Sequence, residues 1–159
     1  MRGVQFFGPD LLDPLSAAAR QNPRLRQHHN LHDSLEAPAQ RLFNAIEPGS
    51  YVMPHRHLAP GKNETLLMLR GRLGVLIFDD TGQVSDTRIL SAASDAFGYQ
   101  LELGVWHSVV ALESGTVFFE VKDGPYLPIS NDERAPWAPA EGSPDLADYL
   151  KQMRAHFPS

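Results

Sequence analysis

The sequence predicts an all-β fold with flanking helices, an antiparallel sandwich or small barrel with one short helix before it and one after it. Three observations carry this reading. About eight short extended runs follow one another between residues 41 and 123 with no helical pattern between them. Most are separated by turn signals such as "EPGS", "DDTG" and "ESG". Helix signatures occur only near the two ends. Strands at such spacing, without helices to carry parallel crossovers, pack antiparallel.

Each element has a local cause. Asp13 can cap a helix with Pro14 at its first position, "DPLSAAARQ", and Pro23 stops it because the residue before a proline avoids the helical region. The expected strands are "RLFNAIE" (41–47), "SYVMPHRH" (50–57), "ETLLMLRG" (64–71), "RLGVLIFDD" (72–80), "VSDTRIL" (84–90), "FGYQLELG" (97–104), "HSVVALE" (107–113) and "TVFFEVKD" (116–123). After a loose stretch expected to wrap the barrel (131–144), Ser143 and Pro144 repeat the helix-start signature. Leu146, Tyr149, Leu150, Met153 and Phe157 then recur at intervals of three and four, one apolar stripe of a helix over about 144–156. The expected organisation is one domain over 1–159: an N-terminal helical segment at about 10–36, a barrel at about 40–123 and the C-terminal helix.

Composition narrows the function. A chain of 159 residues suits one domain, which buries roughly 68–70% of the surface its unfolded form exposes. The net charge of −5 argues against nucleic-acid and anionic-membrane partners, which call for a basic face. The cluster Arg20, Arg24 and Arg26 reads as solvated surface. There is no cysteine, so thiolate nucleophiles and thiolate metal sites are excluded, and any metal must be held by nitrogen and oxygen. No stretch approaches the ~18 apolar residues of a membrane span, and "MRGVQFFGPDLLD" lacks a signal-peptide core, which makes the cytoplasm the expected location.

The chemistry concentrates around one pair of histidines. Side chains alternate along a strand, so His55 and His57 point one way and Arg56 the other, with the imidazoles about 6.5–7 Å apart. Glu64 opens the next run, and a hairpin would return it beside the pair. His107 starts a later apolar strand after Gly104. Three imidazoles and one carboxylate suit one borderline divalent metal, zinc, nickel, iron or manganese, and an octahedral ion would keep two positions open. The bland alternative is that these histidines are hydrogen-bonded members of the core.

The same residues carry a resemblance. "PHRH", Glu64 and "LRGRL" resemble the first motif of the cupins, and "ELGVWHSVVAL" resembles the second. More narrowly, "NLHDSLEAPAQRLFNAIEPGSYVMPHRH", "ETLLMLRGRLGVLIFDDTG", "GVWHSVVALESGTVFFEVKDGPY" and "APWAP" are similar to the WbuC-type cupin metalloproteins, over roughly Asn30 to Pro139. The resemblance implies a double-stranded β-helix, the cupin jelly-roll barrel, holding one metal on His55, His57, Glu64 and His107. Six residues separate His57 from Glu64, where most cupins have three or four. Members of the narrower family are often found beside genes for bacterial surface polysaccharides. A homodimer is expected by analogy.

Other polar positions have two readings each. Val109 and Ala111 share the face of His107, and Tyr51 and Met53 read as core lining. Asn44 interrupts "LFNAI" and serves either as a structural hydrogen-bonder or as a pocket residue. Glu120 and Lys122 read as an exposed ion pair, with a charged pair at the barrel mouth as the sharper alternative. Arg41, Arg70 and Arg72 read as solvated, and His28, His29 and His32 as adventitious. The leading function is isomerisation or epimerisation of a small oxygenated substrate such as a keto-sugar, in which the metal lowers the cost of an enediolate. The base is unassigned among Lys122, Glu120 and a metal-bound hydroxide. An iron-dependent dioxygenase and a non-catalytic binding or sensor protein are the alternatives.

Overall fold

The computed structural model describes residues 3–158. Helix α1 (Pro9–Gln21) leads into strand β1 (Arg26–Asn30), followed by β2 (Ala39–Ile46), β3 (Glu64–Arg70), β4 (Arg72–Phe78), β5 (Val84–Ser91), β6 (Gly98–Leu101), β7 (Trp106–Ala111) and β8 (Thr116–Asp123). A short 3₁₀ turn (Asn131–Glu133) precedes helix α2 (Leu146–Ala155). The strands form two antiparallel sheets, one in the order β1-β2-β8-β3-β6 and one in the order β5-β4-β7. The expected all-β jelly roll with a helix at each end is therefore the observed architecture. Chain passage between the sheets is abrupt at Gly71, the single residue between β3 and β4. Its φ of 72° lies in the left-handed region, where a side chain is strained.

Alternation along β2 explains how one sheet serves two layers. Phe43 and Ala45 face outward with Val117, and α1 lays Leu12, Leu15 and Ala19 on them. Ile46 faces inward, where it joins Leu66, Met68, Leu73, Leu90 and Phe118 in the core between the sheets. Leu150, Met153 and Phe157 cover the outside of the smaller sheet over Leu76, Phe78 and Trp106. Each such side chain contributes roughly 1.5–3 kcal/mol by leaving water. Phe157 seats on Gly74, where an added Cβ would come within 2.6 Å of the ring.

Four expectations are corrected. The first helix begins at Pro9, not Asp13, because Leu12 already belongs to the stripe that packs on β2, and Pro14 is accommodated inside the helix. The expected helical segment at about 10–36 contains β1, a polar strand held by its ladder to β2. Residues 50–57 do not form a strand: Pro54 has no N–H to donate, and only His55 makes bridges, to His107 and Arg134. The last helix starts at Leu146, after a turn in which the Leu146 N–H donates to the Ser143 carbonyl at 3.2 Å.

Candidate metal centre

The irregular segment before β3 carries His55 and His57, the first residue of β3 is Glu64, and the second residue of β7 is His107. The main chains of His55 and His107 exchange two hydrogen bonds, of 3.0 and 2.9 Å, which sets the two imidazoles side by side with ring centroids 4.5 Å apart. His57 lies 5.1 Å from His55 and 5.5 Å from His107 by the same measure. Glu64 does not arrive by the hairpin expected from its position. Strand β3 pairs with β6 and β8, in the opposite sheet, so the carboxylate approaches the histidines from across the barrel. One ligand-capable atom from each of the four residues lies within 4.8 Å of all the others. Arg56 points away, its guanidinium 4.2 Å from the centre of the Trp106 ring.

The protonation of this cluster follows from its neighbours. A carbonyl can only accept, so the contacts of His55 Nδ1 with the Met53 carbonyl and of His107 Nδ1 with the Val105 carbonyl, both 2.9 Å, place a hydrogen on each Nδ1. Each Nε2 then carries its lone pair toward the centre of the cluster. Burial holds both imidazoles neutral: the pKa of His55 is lowered to about 3, with His107 adding to the effect, and that of His107 is also lowered. Burial alone would raise the Glu64 carboxyl. The hydrogen bond with His57, the Lys122 ammonium and the Tyr99 hydroxyl outweigh it and hold Glu64 well below its ordinary value. The result is two neutral imidazoles, those of His55 and His107, set beside His57 and a carboxylate, with all four residues but His55 buried. The Nε2 of His107 is buried with no hydrogen-bond partner. An unpaired buried acceptor costs about 1–3 kcal/mol, and a divalent ion would satisfy it. The donor set therefore fits a metal.

A cavity of about 190 Å³ opens beside the cluster, with Asn44, Tyr99, Glu120 and Lys122 in its wall. The last two are a pair, as expected, but not an exposed one: Lys122 Nζ lies 2.7 Å from Glu120 and 3.6 Å from Glu64, inside the barrel. Asn44 donates to Glu120 at 3.1 Å, so it is both a structural hydrogen-bonder and a wall residue. Alternation puts all of them on the concave face, since Asn44 sits opposite Phe118 and Leu42 opposite Glu120 in the ladder of β2 and β8.

Other expected positions fall elsewhere. Tyr51 is core, its hydroxyl donating to the Pro139 carbonyl at 2.8 Å, and Met53 packs beside that cluster. Arg70 pairs with Asp13 at 2.5 Å and Arg72 approaches Glu113 at 3.8 Å, both away from the cavity, and Arg41 is exposed. His28 and His29 lie on β1, and His32 Nδ1 accepts the Arg41 main-chain N–H at 3.2 Å. Among the described residues they form no metal-holding group. The reading of Arg20, Arg24 and Arg26 as solvated surface fails for Arg26, which is half-buried and donates to Glu141 at 2.8 Å. Sequence alone does not single out Tyr99 or Glu133. Tyr99 donates to Glu64 at 2.6 Å, and the Glu133 carboxylate lies 4.0 Å from His57 Nδ1. The alternation of "FGYQLEL" was the available signal for Tyr99; Glu133, at the end of the short 3₁₀ turn, offered none.

Residues 7–90 match the model of a family described as Domain of unknown function (DUF6016), and the chain belongs to that family. No curated protein matches it. Among solved structures it is similar to KdgF from Halomonas sp., with 17% identity, 67% of this chain and 84% of that one covered, and a TM-score of 0.52. It is similar also to the conserved SPY1581 protein of unknown function from Streptococcus pyogenes, at 11% identity, with 80% and 93% covered and a TM-score of 0.52. A variant of oxalate decarboxylase from Bacillus subtilis aligns at 20% identity and a TM-score of 0.50, over 70% of this chain and 28% of that longer one. The fold is the cupin jelly roll, and the His₃–Glu cluster lies inside it. No helix among the described residues is long and apolar enough to cross a membrane.

Proposed function

We propose that this protein is a metal-dependent cupin that moves a proton on a small oxygenated substrate, such as a keto-sugar or sugar derivative, in an isomerisation or epimerisation. His55, His57, Glu64 and His107 are the ligands of its one divalent metal. The observation that carries the reading is the buried, unpartnered Nε2 of His107, on which three other ligand-capable side chains converge. A divalent metal supplies Lewis-acid polarisation of a substrate carbonyl. The proton transfer falls to the chain. Glu120 presents its carboxylate to the cavity beside the ligands, and burial together with the Glu64 charge raises its pKa, which makes it a stronger proton acceptor. Burial works against the charge of Lys122, but Glu120 and Glu64 outweigh it and keep the ammonium protonated, so it orients Glu120 and donates to oxygen.

The likeness of its motifs to WbuC-type cupins supports a role in bacterial surface-polysaccharide metabolism. In this reading the protein is a cytoplasmic homodimer whose partner is a small molecule, not nucleic acid or membrane.

Elemental analysis of untagged protein tests the site: about one equivalent of a transition metal is expected, lost in His55→Ala and His107→Ala while the fold persists. The reaction is tested by incubating metal-loaded protein with keto-sugars in heavy water. Deuterium should enter the carbon beside the carbonyl, and Glu120→Gln should lose that exchange while keeping the metal. No exchange across a panel on which a known isomerase acts would overturn the assignment.

A further inference from the structure

A second cavity, of about 480 Å³, adjoins the first. Val52, His55 and Arg26 line both, so whatever fills the outer space touches the wall of the inner one. Arg24, Arg26 and Arg134 line the outer cavity, and the carboxylate among them is Glu141. Three guanidinium groups against one carboxylate leave an excess of positive charge, in a chain whose net charge is −5. Composition and overall charge conceal this local reversal.

The geometry of Glu141 shows what this wall accepts. Its two oxygens take hydrogen bonds from Arg24 Nε at 3.0 Å, Arg24 Nη2 at 2.5 Å and Arg26 Nη2 at 2.8 Å, the fork pattern in which guanidinium binds carboxylate or phosphate. Arg26 is fixed from behind, since its Nη1 donates to the Tyr51 carbonyl at 2.7 Å. Arg134 is in no ion pair among the described residues, and its guanidinium donates to Asn131 at 3.3 Å. Its main chain is bridged to His55, so the guanidinium is rooted beside a metal-site residue.

We propose that the outer cavity binds the oxyanion portion, phosphoryl or carboxylate, of a substrate whose compact reactive end enters the inner pocket. Arg134 supplies the unpaired fork, and Arg24 and Arg26, held in place by Glu141, supply the remaining positive field. The link to a reactive end rests on the function proposed above; the anion site stands on the arginines alone.

Calorimetric titration at low ionic strength, where screening is least, tests it with inorganic pyrophosphate and malonate added separately. Wild type, Arg134→Gln, His107→Ala and the double variant are compared. At least one anion should bind wild type and His107→Ala alike, and Arg134→Gln should weaken it at least tenfold in both backgrounds. Tighter pyrophosphate assigns phosphoryl, and tighter malonate assigns carboxylate. The proposal is overturned if neither anion binds, if Arg134→Gln binds as wild type does, or if binding vanishes in His107→Ala, which would place the anion on the metal. Because the metal-free background is included, the anion site can fail while the metal site holds, or the reverse.

Discussion

The Tyr99 hydroxyl donates a 2.6 Å hydrogen bond to Oε1 of Glu64, which ties the edge strand β6 to the carboxylate that faces three histidines. The opposite oxygen is left to face His57 at 3.1 Å and Lys122 at 3.6 Å. A carboxylate held on one side by a fixed donor keeps its other side aimed. Tyr99→Phe removes that donor with little change of shape. Metal affinity, measured by competition with a chromogenic chelator, should fall about 10–100-fold. Unchanged affinity would mean that Glu64 is positioned by other contacts.

The loop between His57 and Glu64 is held by an unusual anchor. The ammonium of Lys62, a buried residue, donates to the carbonyls of Asp123 and Pro125, at the end of β8. Lys62→Met keeps most of the volume and removes both bonds. It should destabilise the protein by about 1–3 kcal/mol, because the carbonyls lose a charged donor, and it should weaken metal binding as Glu64 loosens. Urea unfolding and the chelator assay read the two effects separately. A stability loss with metal affinity intact would uncouple the loop from the site.

Acid should act on the metal-free protein through its buried imidazoles. Burial first, and His107 second, keep folded His55 neutral down to about pH 3, whereas the unfolded chain takes up that proton near the ordinary value of 6.5. Between these values the unfolded state binds more protons, so stability is complete above about pH 6.5 and declines as the pH falls toward 3. Urea midpoints between pH 7 and 5 should show the decline before carboxylates contribute. In His55→Gln the slope should be shallower; an identical slope would assign the effect to other groups.

The seat of the last helix can be tested by a double-mutant cycle. Phe157→Ala should cost about 3–5 kcal/mol, and Gly74→Ala about 1–3 kcal/mol by overpacking the ring. Once Phe157 is gone the space above Gly74 is empty, so Gly74→Ala should then cost little. Strict additivity in thermal unfolding would show that the two residues do not share that space.

How far the sequence could be read depended on whether apolar period or polar chemistry built the element. Strands β3, β4, β7 and β8 carry long apolar runs and fall within a residue or two of expectation. β1 was invisible because "RQHHN" has no apolar alternation, and its strand geometry comes from pairing with β2. The segment 50–57 deceived in the other direction: its residues favour strand, but Pro54 breaks the ladder, and His55 makes the only bridges. Grouping the four polar residues was possible because histidine spacing survives a change of backbone geometry. The route of Glu64 was not, since nothing local in "LAPGKNE" reveals that β3 joins the opposite sheet. Arg134 lay in a stretch with no period at all.

His55 pairs through its backbone with His107 on one side and Arg134 on the other. Main-chain pairing is indifferent to side-chain identity, so the segment bearing Arg134 can exchange residues, or be replaced whole, while the histidine opposite keeps its place. The wall of the outer cavity and the cluster at the centre are thereby free to vary independently. A scaffold built this way tolerates a new outer wall while the inner histidines keep their geometry.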